Sequence, residues 1–432
     1  MFKVSLRGYI NELEKRKLLT IIDDTVDSNL EITKLMKKHS NSSILFKKVK
    51  NAKYPLIGNL LQSRSWFNLL LKSNKKEMYE KLNNASTKAK YPEETDFSTS
   101  FEVETEVDFN QLPIPKFFPK DGGRYLTSAI VIAKNPETDK VNASIHRIMI
   151  LSKNEGIIRL VPRDLYQIFH SNRKNGRNTP IALIVGYHPL IALAASTPLK
   201  YGESELSVAN ALLEKGIKVI KTPIFGIDVP VDVEFVIEGE IIADETEEEG
   251  PFVDITGTLD TKRIQPVIRF KKLYHRKDAI FQTILPAHEE HYLLMGFPKE
   301  AAIYSYVKKI VPEVHDLVLT SGGCGWLHAV ISITQRKTGD AKNVALAAFA
   351  AHPSLKWCTV VNEDIDVNNP SSVEWAMITR AGSGDIIVID NIRGSSLDPS
   401  RNKNDDTSIK VIIDATKKES RNESEYNRII FD

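Results

Sequence analysis

At 432 residues the chain is long for a single domain and predicts two or three. An apolar share of 42% with 26% charged residues is an ordinary globular balance, and a formal net charge of +2 sets up no large field, so nothing points to nucleic acid. Cys324 and Cys358 are the only cysteines, too few for a disulfide framework, which implies a reducing cytoplasm.

Residues 1–7 lack an apolar h-region and a small-residue cleavage site, so no secretory signal is expected. No run of about 18 apolar residues predicts a membrane span; the nearest, 181–195, is broken by Gly186-Tyr187-His188-Pro189. Leu6, Ile10, Leu13 and Leu18 stand near helical spacing and predict an amphipathic first helix. Residues 44–46 and 54–58 read as short strands of an N-terminal α/β region. Residues 72–100 are polar and lysine-rich, a solvated helix and linker. From about residue 108, β-branched runs at 127–133, 143–151, 157–161, 181–185, 217–222, 235–242 and 266–274 predict a β-rich barrel or sandwich. A short helix at 207–213 interrupts it. From about 298 helices and strands alternate, which reads as α/β. The helices are 298–310 with Pro298 in its first turn, 341–351, and one capped by Asn369-Pro370 and running to Arg380. Residues 357–361 and 385–390 read as buried-type strands. The polar tail, 400–432, carries some helix at most. There is no internal repeat.

Glu249 and Asp254 lie five residues apart and bracket a Gly250-Pro251 pair that favours a turn over a helix. Upstream, Asn142-Ala143-Ser144-Ile145-His146-Arg147 is a strand-like stretch ending in a guanidinium. Two carboxylates sharing one arginine form a proton-handling site, because the arginine holds one ionised and orients it. The competing reading is a solvated acidic turn, since Glu247, Glu248 and Glu249 are consecutive. Asn142 and Arg147 are an odd five residues apart, so a regular strand aims them to opposite faces; a single cluster would need a bulge. Gly322 and Gly323 precede no P-loop lysine, so residues 321–325 read as a tight strand-to-strand turn. His288 and His291, beside Glu289 and Glu290, have the spacing of a metal pair but read better as a solvated helix start. His188 reads as a packed turn residue, and Asp364 and Asp366 as caps.

In this order the motifs resemble the UbiD family of decarboxylases, which use prenylated FMN. The resemblance continues through Gly186-x-His188-Pro189, Ser204-Glu205-Leu206, Glu238-Gly239, Asn362-Glu363-Asp364, Trp375-Ala376 and Asp414-Ala415-Thr416, roughly residues 30 to 416. It implies an α+β fold with an N-terminal α/β region (1–107), a central flavin-reductase-like split β-barrel holding the cofactor (108–290), and a C-terminal α/β domain (291–432) that oligomerises. It implies that Asp254 donates the proton, Arg147 orients it and meets the substrate carboxylate, and Glu249 completes the network. Asp254 departs from the family's usual Glu by one methylene. Asn142, Ser144, Ile145, His146, Arg147, Asp164, Glu205 and Lys356 are implied to hold the cofactor. Of these, Asn142, Asp164 and Glu205 would ligate a divalent metal, Mn²⁺ or Mg²⁺, with K⁺ as a further ion. Asp164 stands where the family has a His, and oxygen ligands suit a hard cation. Lys356, beside Trp357, reads equally as a snorkelling surface residue.

The implied substrate is a small unsaturated carboxylic acid, and the implied assembly a dimer or hexamer. A separate flavin prenyltransferase would supply the cofactor. Asn142-x-Ser144-Ile145-His146-Arg147, Glu249-Gly250-Pro251-Phe252-Val253-Asp254-Ile255-Thr256-Gly257, Gly322-Gly323-Cys324-x-Trp326-Leu327-His328-Ala329 and Arg393-Gly394-Ser395-Ser396-Leu397-Asp398-Pro399-Ser400 resemble an archaeal branch of the family, which implies conversion of trans-anhydromevalonate 5-phosphate to isopentenyl phosphate. An aromatic acid such as a 4-hydroxybenzoate derivative is the alternative substrate, and a flavin-binding subunit without turnover the alternative role.

Overall fold

The computed structural model describes residues 5–96, 100–213, 215–418 and 426. The chain divides into two compact units, Met1–Asn74 with Asn84–Leu294, and Lys75–Asn83 with Met295–Asp432.

The first unit opens with the expected amphipathic helix, Leu6–Lys15. Ser5 caps it by accepting from the Gly8 N–H, and Leu6, Tyr9, Ile10 and Leu13 form its buried face. Strands Leu19–Val26 and Ser43–Val49 pair in parallel across helix Glu31–Lys38. Leu56–Gly58 adds antiparallel, and Phe281–Gln282 returns from far along the chain to complete a four-stranded sheet.

A nine-stranded sheet that curls into a half-barrel builds the rest of this unit. Strands Ile130–Lys134 and Thr179–Val185 lie inside it, so Ile130 to Ala133 and Ile181 to Val185 are fully buried and their sequences are continuous apolar runs. The long antiparallel pair Phe235–Glu249 and Arg263–His275 is interrupted by irregularities at Glu238/Gly239 and Ile241/Thr246 and ends with Glu249 opposite Arg263. The single strand expected at 143–151 is two strands. Val141–Ile145 pairs with Ile130–Lys134, whereas Ile148–Ile150 pairs with Glu155–Ile158 and Tyr125–Leu126. The chain changes partners at His146 and Arg147, which frees Arg147 from strand alternation.

The second unit holds a five-stranded sheet in the order Val314–Leu319, His328–Ile333, Trp357–Val361, Thr407–Asp414, Ile386–Arg393. Helices Asp340–Ala351 and Pro370–Arg380 match expectation, and Asn369 caps the latter by accepting from the Ser371 and Ser372 N–H groups. Three expectations fail. The helix placed at 298–310 is Glu289–Val307, with Pro298 inside it. A mid-helix proline forfeits one backbone bond, about 3 kcal/mol, but Leu293, Leu294, Phe297, Ala301 and Ile303 around it are buried and offset that cost. The strand at 385–390 is not buried: it is an edge strand exposing Ile386 and Val388. The tail contains the strand Thr407–Asp414, whose run Ile409 to Ile413 is β-branched except at Lys410; apart from residue 426, residues beyond 418 lie outside the described ones. Among the described residues no helix is long and apolar enough to cross a membrane.

Candidate active site

Arg147 is the hub of the first unit's most concentrated charge cluster. Its Nε and Nη2 donate to Glu249 Oε1 and Oε2 at 3.0 and 2.9 Å, a bidentate fork. Nη1 donates to Asp254 Oδ2 at 2.6 Å. Nη2 donates again, to Asp260 Oδ2 at 2.8 Å. Phe252 lies against the guanidinium, 4.6 Å from ring centroid to Cζ. Burial opposes the arginine's charge, but Glu249, Asp254 and Asp260 outweigh it and hold the guanidinium firmly protonated.

The three acids differ in access. The Glu249 side chain is 0% exposed, that of Asp260 17% and that of Asp254 21%, so Asp254 is the acid best placed to meet a ligand. Tyr125 donates to Glu249 Oε1 at 3.2 Å. Asp254 and Asp260 come from one hairpin, in which Phe252 pairs with Asp260 and Val253 with Leu259. The turn closes with Gly257 N–H donating to the Asp254 carbonyl at 2.8 Å, and Gly257 takes φ +73°, a conformation that suits glycine. Asp254 Oδ1 accepts from the Ile255 N–H at 2.6 Å, which fixes the carboxyl plane.

A second cluster sits at the other end of the 141–147 stretch. Buried Glu205 accepts from Asn142 Nδ2 at 3.0 Å and from the Ala143 N–H at 2.8 Å. Burial pushes its carboxyl up to about 8, and nearby Asp164 pushes in the same direction. Asp164, at the start of helix Asp164–Lys174, is itself raised by burial. Ser144 Oγ lies 3.1 Å from Asn142 Oδ1 and 3.0 Å from His146 Nε2. Burial lowers His146 to about 4, and its Nδ1 must carry the proton donated to the Arg159 carbonyl at 3.1 Å. One hydroxyl proton therefore faces two acceptors. Glu205, Asp164 and the Asn142 carbonyl oxygen are oxygen ligands of the kind that suit a hard divalent cation, and Ser204 Oγ, next to Glu205 in the chain, is buried without a hydrogen-bond partner.

Profiles described as the 3-octaprenyl-4-hydroxybenzoate carboxy-lyase N-terminal domain, Rift-related domain and C-terminal domain match residues 10–86, 91–289 and 292–415. The chain belongs to the UbiD family of decarboxylases. It is similar to the anhydromevalonate phosphate decarboxylases of Methanosarcina mazei, 41% identical over 416 residues (96% of each chain), and Methanothermobacter thermautotrophicus, 37% over 416 residues (95% of this chain, 96% of that one). It is less similar to the phenolic acid decarboxylase of Bacillus subtilis, 34% over 323 residues (71% of this chain, 67% of that one). Among solved structures, the UbiD-class enzyme HmfF from Pelotomaculum thermopropionicum in complex with FMN superposes with a TM-score of 0.95 at 33% identity, covering 99% of this chain and 97% of that one. An evolved dimeric form of HmfF in complex with prFMN gives a TM-score of 0.92 at 32% identity over the same shares.

In this UbiD chain the structure brings Arg147, Glu249 and Asp254 together, and groups Asn142, Ser144, His146 and Glu205, with Asp164 near Glu205. Ile145 ends the strand between the two groups. Lys356 belongs to the second unit, where its ammonium meets Asp398 at 2.9 Å and Ser400. Sequence reading passed over Asp260 and Tyr125. Asp260 had a signal: it follows Asp254 across a glycine-containing turn, and hairpin arms bring such positions side by side. His291 is half-buried rather than solvated; its Nδ1 accepts from the Ala287 N–H at 3.2 Å, and burial lowers its pKa, with Asp254 opposing that shift and Arg147 adding to it.

Proposed function

We propose that this chain decarboxylates trans-anhydromevalonate 5-phosphate to isopentenyl phosphate with prenylated FMN. The observation that carries the reading is the Arg147 cluster, in which one guanidinium holds a buried carboxylate and presents a second, more open one. Four archaeal relatives named for this phosphate substrate align over 93–96% of the chain and a fifth, 40% identical, over 74%, against 71% at 34% identity for the relative named for phenolic acids. That difference favours the isoprenoid precursor over an aromatic acid.

Prenylated FMN, when bound, supplies the electron sink that lets the substrate carboxylate leave as carbon dioxide. Asn142, Asp164 and Glu205 would hold its phosphate through Mn²⁺ or Mg²⁺, with Ser144, Ile145 and His146 lining the same stretch. Arg147 spends four of its five donor hydrogens on Glu249, Asp254 and Asp260. The fifth, on Nη1 beside Asp254, serves the incoming carboxylate. Asp254 in its acid form then gives its proton to the carbon that carbon dioxide left, becomes the carboxylate that Arg147 holds, and is recharged from solvent. Glu249 keeps the guanidinium fixed throughout. A flavin prenyltransferase supplies the cofactor, the protein works in the cytoplasm, and copies assemble as a homo-oligomer through the C-terminal region.

Turnover in deuterium oxide tests the proton step. One deuteron per product molecule, at the carbon that lost the carboxylate, is expected. Product without solvent deuterium would contradict a solvent-recharged acid.

A further inference from the structure

The decarboxylase reading needs one acid on Arg147, Asp254, to alternate between protonated and ionised. Each time it is protonated, the guanidinium loses a counter-charge in a site where its side chain is only 9% exposed. A charge left short of partners in such a place swings away or draws the proton back off its neighbour. Asp260 answers this difficulty. It reaches Arg147 Nη2 at 2.8 Å on the side away from Nη1, which serves Asp254. Its other oxygen accepts from Arg263 Nη2 at 2.8 Å. Together Arg263 and Arg147 outweigh burial and hold Asp260 below the ordinary carboxylate range, so it stays ionised.

We propose that Asp260 is a positioning residue that keeps Arg147 ion-paired and aimed while the Asp254 carboxyl gives up and regains its proton. With Glu249 it supplies two fixed negative charges, leaving Asp254 as the acid that changes state. The placement is economical, since Asp254 and Asp260 stand on the two arms of one hairpin and cannot drift independently. The inference rests on the reading of Asp254 as proton donor.

The groups that face this pair come from several elements. Arg147 and Glu249 contact them directly or through the guanidinium. Arg263 and Arg159 approach from the Asp260 side; burial, Arg263 and Arg147 lower the Arg159 pKa, and Asp260 and Glu249 oppose them. Buried His291 feels the opposite charges of Asp254 and Arg147, and Tyr125 and Asp121 lie behind, Asp121 accepting from the Val253 N–H at 3.2 Å. Among these, Asp260 is the acid other than Glu249 that shares a guanidinium nitrogen with the hub.

The test compares Asp260→Asn with Arg263→Gln. In cofactor-free protein, the infrared band of a protonated carboxylic acid that is lost in Asp254→Asn identifies Asp254. Removing the Asp260 charge leaves Arg147 pulling harder on the Asp254 carboxylate, so in Asp260→Asn that band is expected to vanish at a pH about 1 unit lower than in the parent. The alkaline limb of kcat in the loaded enzyme is expected to move the same way, with KM little changed. Arg263→Gln removes a cation, so neither readout is expected to move to lower pH. Equal shifts in both variants would mean a merely structural salt bridge and would overturn the proposal, as would no shift in Asp260→Asn. If loaded Asp260→Asn moves its profile while no Asp254 band titrates in any variant, the donor assignment fails instead.

Discussion

At the scale of the residue, the arrangement depends on a guanidinium rather than on positive charge alone. A lysine at 147 would be a point charge that cannot span Glu249, Asp254 and Asp260. Arg147→Lys is expected to leave the fold intact and lower kcat by about 100-fold or more; a rate near the parent's would show that orientation is supplied elsewhere. Glu290 makes a separate prediction about stability. It is 2% exposed, accepts from the Leu60 N–H at 3.1 Å, and burial pushes its carboxyl up to about 8. The folded chain therefore keeps a proton that the unfolded chain releases near pH 4.5. Stability falls as pH rises from there to about 8 through this group, because the folded state binds more protons over that window. Glu290→Gln cannot ionise. Its melting temperature is expected to match the parent's at pH 4 and to exceed it at pH 8.5 by roughly 2 °C or more, readable by scanning calorimetry. An equal difference at both pH values would contradict the assignment.

At the scale of the element, the site is set by two irregularities, a strand break and a hairpin, and both lean on close backbone packing. A Cβ on Gly122 would stand 2.2 Å from the Gly250 carbonyl oxygen, and the Gly122 N–H donates to the Pro251 carbonyl at 2.8 Å. Gly122→Ala is therefore expected to push the segment bearing Glu249 out of place, cutting kcat by about tenfold or more with a lowered melting temperature. An unchanged kcat would mean that the segment tolerates displacement. Much of this level was legible in the sequence. Continuous β-branched runs gave the inner strands, and the paired acids around Gly250-Pro251 marked the turn that meets Arg147. What escaped depends on partners distant in the chain. Nothing local in 143–151 says that the first half pairs with 130–134 and the second with 155–158. Pro298 reads locally as a helix start, yet the apolar face around it carries the helix through. Asp260 escaped for a different reason: its only signal was the glycine-containing turn after Asp254, and an acid beside Arg263 looks like any surface pair until the hairpin register turns it toward Arg147.

At the scale of the whole molecule, cofactor retention and stability are expected to depend on a divalent cation. Glu205 and Asp164 are both destabilised as carboxylates by burial, and a cation relieves them. Dialysis against a chelator is expected to lower the melting temperature, and Mn²⁺ at about 100 times its Kd to return about 2.7 kcal/mol of stability. Glu205→Gln is expected to lose that response; an undiminished one would place the cation elsewhere. The edge strand Ile386–Arg393 exposes Ile386 and Val388 in the second unit. A chain with this Arg147 cluster is expected to decarboxylate an unsaturated phosphorylated acid, and anaerobic turnover is the decisive measurement. Protein produced with a flavin prenyltransferase, its prenylated FMN confirmed by mass, would receive trans-anhydromevalonate 5-phosphate. Isopentenyl phosphate is expected from the parent and not from Asp254→Asn or Arg147→Ala. No product from the fully loaded parent, or equal product from Asp254→Asn, would contradict it.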